Sequence, residues 1–93
     1  MPYIKSAQRI RLTSSLTSLV LLLQQAPQEA LDGELNYVIT MLLKALYTPS
    51  YYNFNRAMGV LSCAQQEFYR AVIGPYEEVK RAENGDVRVE DLE

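Results

Sequence analysis

The feature that most constrains the fold is the spacing of apolar residues between Tyr51 and Lys80. Phe54, Ala57, Met58, Leu61, Ala64, Phe68, Ala71 and Val72 recur at steps of three and four, which aligns them on one side of an α-helix. The other side carries Asn53, Asn55, Arg56, Gly59, Ser62, Gln66, Glu67, Tyr69 and Arg70. A face that serves only solubility is normally rich in Lys and Glu. Amides, hydroxyls and arginines are groups that grip planar or anionic partners. The stretch therefore predicts a long helix that binds as well as packs.

The rest of the chain extends this to an all-α reading: a small helical bundle of three main helices, a short C-terminal helix and an extended N-terminal arm. One domain of 93 residues is expected, with residues 1–12 as the arm, 13–83 as the helical core and 84–93 as a frayed tail. Thr13, Ser14 and Ser15 are N-cap candidates for a first helix ending near Gln25. Residues 26–33 read as a connector around Pro27, followed by a second helix from Glu34 to about Tyr47. Its apolar stripe is Leu35, Val38, Ile39, Leu42, Leu43 and Leu46. Thr48, Pro49 and Ser50 form a turn. The third helix runs to about Ile73, with Gly59 in its middle at a cost of about 1 kcal/mol against alanine. A close helix crossing or a ligand approaching the backbone would explain that glycine. Gly74-Pro75 ends the third helix and opens a fourth, which Asn84-Gly85 stops.

A chain of this size builds only a marginal core by itself, and 48% of its residues are apolar. A homo-oligomer is therefore expected. With 9 basic and 11 acidic residues, no basic stripe is available for the many phosphate contacts of duplex nucleic acid. Histidine is missing, which excludes Ser-His-Asp and Cys-His catalysis within one chain. A single cysteine, Cys63, allows no internal disulfide and suits a reducing compartment as a buried structural thiol. The apolar run Leu19–Leu23 is far below the roughly 20 residues of a membrane span. It lacks the leader of a signal peptide, so no membrane partner is expected. Glu77-Glu78 is followed by Glu83, and Glu34 and Glu67 stand alone. That spacing does not match the EExxE…ExxD carboxylates by which all-helical nucleotide pyrophosphohydrolases hold magnesium, and no cofactor or metal is expected.

Five strings, MPYI at 1–4, GELNYVIT at 33–40, EFYR at 67–70, PYEEVK at 75–80 and NGDV at 84–87, resemble a family of small uncharacterised helical proteins common in phage and prophage genomes. Where that family's EFYR string continues to a second arginine, this chain has Ala71, so a paired-arginine role lacks its second member. The resemblance implies a phage accessory or counter-defence setting, in the cytoplasm of an infected bacterial host.

The expected function is binding without catalysis. A small anionic, nucleotide-like ligand, such as a cyclic nucleotide immune signal, would be sequestered. Arg70, Arg56, Arg9 and Arg11 would meet phosphates, Tyr69, Tyr76 and Tyr37 would stack on bases, and Asn36 and Asn55 would read base edges. Local alternatives stand beside these roles. Glu67 and Arg70 are spaced for an intrahelical pair, the tyrosines suit oligomer contacts, and the asparagines suit a buried network between helices. The alternative function is a protein-interaction module that inhibits a host protein. A magnesium-dependent pyrophosphohydrolase is the third.

Overall fold

The computed structural model describes residues 4–92. The described chain is all-α, as expected, with no strand among the described residues. The four helices are α1 (Ser6–Gln24), α2 (Gln28–Leu46), α3 (Tyr51–Phe68) and α4 (Gly74–Asn84). A π-turn (Tyr69–Ile73) joins α3 to α4, and a short 3-10 turn (Val89–Leu92) follows. The chain divides into two compact units, residues 1–53 and 54–93.

In the first unit, α1 starts well before the three-hydroxyl cluster. Residues 6–12, expected as part of an extended arm, are helical. Ala7, Gln8, Arg9, Arg11 and Leu12 are all good helix formers, and the Gln8 side-chain oxygen accepts the Lys5 N–H at 2.8 Å to close the first turn. Thr13 is consequently mid-helix. Its hydroxyl donates back to the Arg9 carbonyl at 2.8 Å, a bond that satisfies the side chain without starting a helix. The expected arm residues 1–3 lie outside the described residues.

α2 also starts early. Pro27 occupies its N-cap, where a missing N–H costs nothing, and Glu29 in the first turn complements the helix dipole. The expected connector is thus reduced to a sharp corner at residues 25–27, and Gly33 is inside the helix. α1 and α2 touch over only a few residues. Leu19, Leu23, Ala30 and Leu31 are half-buried near the corner, whereas Leu16, Val20, Leu42 and Leu46 stay exposed.

The turn before α3 is tied by side chains. The Ser50 hydroxyl accepts the Asn53 N–H at 2.9 Å, and the Asn53 amide donates to the Thr48 carbonyl at 3.0 Å and hydroxyl at 2.9 Å. Ser50 is the N-cap and Asn53 the third helical residue, so a donor left over at the helix start is satisfied.

In the second unit, the expected break at Gly74-Pro75 does not occur. Ile73 and Gly74 keep right-handed helical dihedrals, so residues 54–84 form one helical run of about 45 Å at 1.5 Å per residue. The π-turn makes this possible. The Gly74 N–H reaches back five residues to the Tyr69 carbonyl, and the widened turn relieves the clash a proline ring makes with the preceding turn of an α-helix. A Cβ on Gly74 would lie 3.2 Å from that same carbonyl, a tight contact that glycine avoids. The run ends as expected at Gly85, whose φ of 83° favours glycine and whose N–H bonds the Arg81 carbonyl.

Only Ala57 is buried among the described residues, at 7% exposure. The apolar stripe of α3 is present, but Phe54, Met58, Phe68 and Val72 remain exposed and Leu61 half-buried. Among the described residues, open space surrounds the position a Cβ on Gly59 would take. Cys63, expected to be buried, is half-buried. The expected frayed tail carries the 3-10 turn, whose start is held by Asp91 accepting the Arg88 N–H at 2.9 Å.

Candidate functional site

The most distinctive concavity of the second unit lies against the π-turn. Gln65, Gln66, Phe68, Tyr69 and Ile73 line an open groove of about 490 Å³. A π-turn inserts one residue into the helical repeat, so side chains beyond it are rotated relative to the stripe before it. Phe68 of the stripe and Tyr69 of the polar face, neighbours in sequence at the start of the turn, both line the groove. Gln65 and Ile73 belong to the site and lie four residues to either side of Tyr69 on the same helical face.

Arg70 lies one turn on from Gln66 and directly after Tyr69, though it is not itself part of the lining. Its guanidinium donates to Glu67 at 3.0 Å, with the two side chains 64% and 39% exposed. The local pair anticipated from the i,i+3 spacing is thus formed, and it holds the arginine fork out in water. The Tyr69 hydroxyl lies beside the Glu77 carboxylate. Hydrogen bonding to that carboxylate first, and its charge second, raise the phenol above its ordinary value of 10.0. Tyr69 therefore stays a neutral donor anchored toward α4.

A family model described as Domain of unknown function (DUF6899) matches residues 1–87. The chain belongs to this family. No curated protein and no solved structure matches it. In this DUF6899 member the other sequence-selected residues are spread out. Tyr76 lies on α4, with the Lys80 ammonium 5.6 Å from its ring centroid, so one ring face already has a cation over it. Asn55 and Arg56, near the start of the second unit, are about 20 Å along the helix from Arg70, beyond the reach of one small ligand held at the groove.

In the first unit, Arg9 and Arg11 are two residues apart on α1 and so point to roughly opposite sides. The Arg9 Nε donates to the Ile4 carbonyl at 3.1 Å. Tyr37 is exposed on α2, and the Asn36 side-chain oxygen accepts the Thr40 hydroxyl at 3.2 Å, a bond within one helix.

Two further cations of the second unit are also paired locally. Arg81 reaches Glu78 at 2.6 Å and Asp86 at 3.5 Å, and Lys80 reaches Glu83 at 3.4 Å. Glu78, with Asp86 adding to it, raises the Arg81 guanidinium further above its ordinary range. Among the described residues no cluster of three or more Asp, Glu or Cys side chains could hold a metal ion, and no helix is long and apolar enough to cross a membrane.

Proposed function

We propose that this protein is a non-catalytic binding protein that sequesters a small anionic, nucleotide-like ligand at the π-turn groove. The observation that carries this reading is the groove itself. Its volume falls in the range of small-molecule sites, it combines two aromatic rings with two amides, and Arg70 follows Tyr69 directly in the chain. Tyr69 and Phe68 would stack on a base, Gln65 and Gln66 would bond its edge, and Arg70 would exchange Glu67 for a phosphate, to which its planar fork is matched. The resemblance to small phage proteins supports a counter-defence setting for such a sponge, acting in the cytoplasm of an infected host.

A thermal-shift screen with linear and cyclic nucleotides and ADP-ribose derivatives tests this directly. A ligand at 100 times its dissociation constant stabilises by about 2.7 kcal/mol. A selective shift, lost in Arg70→Ala and Tyr69→Ala and not accompanied by turnover, is the expected result. A flat panel would sink the reading, and turnover abolished by EDTA would replace it with the hydrolase.

One observation favours a second reading, a module that docks on a host protein. Large apolar side chains such as Phe54, Met58, Tyr51 and Leu46 are exposed, and such surfaces carry protein interfaces. It predicts a stoichiometric complex with a host protein and an unresponsive ligand panel.

A further inference from the structure

α1 carries charge at only one end. Lys5, Arg9 and Arg11 are basic, and the next charged residue is Glu29, followed by Asp32 and Glu34. Everything between Arg11 and Glu29 is uncharged. None of these three bases and three acids takes part in an ion pair among the described residues, in contrast with Arg70, Lys80 and Arg81. The reason is geometric. Glu29 stands at the corner after α1, about 20 Å along that helix from Arg9 at 1.5 Å per residue.

The neutral middle of α1 has an open face. Thr13, Leu16, Thr17, Val20, Leu21 and Gln24 line a shallow groove of about 360 Å³, with Leu16 57%, Val20 49% and Leu21 57% exposed. These positions are symmetric about the middle of the helix. Turned end for end, Thr13 falls opposite Gln24, Leu16 opposite Leu21, and Thr17 opposite Val20. Large residues thus meet large, and each threonine leaves a hole beside them.

We propose that two copies of this chain pair antiparallel along this face of α1. The arrangement is a two-fold interface, in which the same patch serves both sides. The charge layout selects its direction. Reversing the second copy brings its basic end to the first copy's corner, with Arg9 beside the second copy's Glu29 and Lys5 beside its Asp32, twice over. A parallel pair would stack base on base. The terminal nitrogens of Arg9 remain for such a contact because its Nε is the atom bonded to Ile4. This pairing does not depend on what the π-turn groove holds and is measured without ligand.

The test is the mass of the full chain by sedimentation equilibrium, with helix content followed by circular dichroism. The wild type is expected as a dimer or an even multiple of one. Leu21→Glu should weaken association at least 100-fold. Arg9→Glu should weaken it at least tenfold, and combining Arg9→Glu with Glu29→Arg should restore most of the loss, because the reversed pair forms again. Arg9→Glu lies on an exposed helical surface, so the swap remains informative if Leu21→Glu fails to fold. A monomeric wild type, association unchanged by Arg9→Glu, or no recovery in the double variant would each overturn the proposal.

Discussion

The two units handle their charges in opposite ways. In the second, each bridging cation finds its acid within a turn or two of the same helical run: Arg70 with Glu67, Lys80 with Glu83, Arg81 with Glu78 and Asp86. In the first, Lys5, Arg9 and Arg11 sit at one end of α1 and Glu29, Asp32 and Glu34 follow its other end, and none of these six forms an ion pair among the described residues. Charges paired within one helix place no demand on other molecules, and such exposed pairs contribute little. Charges held apart by the length of a helix are complementary to a reversed copy of the same helix. The second unit thus pairs Arg70, Lys80 and Arg81 within itself and carries the candidate ligand groove, while the layout of the first supports the proposed assembly.

The largest expected effect that would break this contrast is the loss of association in Leu21→Glu, with the reciprocal swap of Arg9 and Glu29 as its charge counterpart. Next is the backbone of the second unit. Gly85→Ala places a side chain at φ 83° and is expected to cost about 2 kcal/mol, read as a fall in the midpoint of chemical denaturation. Gly74→Ala, pressed against the Tyr69 carbonyl at 3.2 Å, should also destabilise and should blunt any ligand shift at the groove. Gly59→Ala should do the reverse and stabilise by up to about 1 kcal/mol, since open space surrounds its built Cβ.

A smaller effect sharpens the electrostatic side. Glu77→Gln should return the Tyr69 phenol toward its ordinary range, followed by phenolate absorbance through an alkaline titration. The sign follows from linkage. A phenol raised in the folded state contributes stability that is present below its unfolded value and is lost as pH climbs through the folded one. The variant should therefore lack that contribution at neutral pH and lose stability less steeply as pH rises through the phenol's range. Glu67→Gln is the smallest, a few tenths of a kcal/mol at most for a pair this exposed.

The helical class, the stripe of α3, the turn at Thr48-Pro49-Ser50 and the stop at Gly85 were all legible in the sequence, because spacing and turn chemistry act locally. The errors arose where one residue type serves two roles. Thr13-Ser14-Ser15 resembles a cap, but back-bonding to Arg9 lets Thr13 ride inside a helix. Pro27 and Gly33 look like a connector, yet proline is harmless at an N-cap and glycine is tolerated mid-helix. Gly74-Pro75 looks like a break, and a π-turn carries the helix through it. Gln65 and Ile73 lie four residues to either side of Tyr69, a helical spacing that already puts them on one face, but an amide and an isoleucine carry no chemistry that marks them as site residues. Asn53 was legible as polar but serves as a tie to Thr48 and Ser50, a role set by the turn.

The central claim, that the first unit is built to meet its own reversed copy, is tested most directly by the mass of the unaltered full chain across a dilution series at low and high salt. The account predicts a dimer, or an even multiple of it, that dissociates more readily as salt screens the Arg9–Glu29 and Lys5–Asp32 contacts. A chain that stays monomeric at every concentration, or an assembly indifferent to salt, would contradict it.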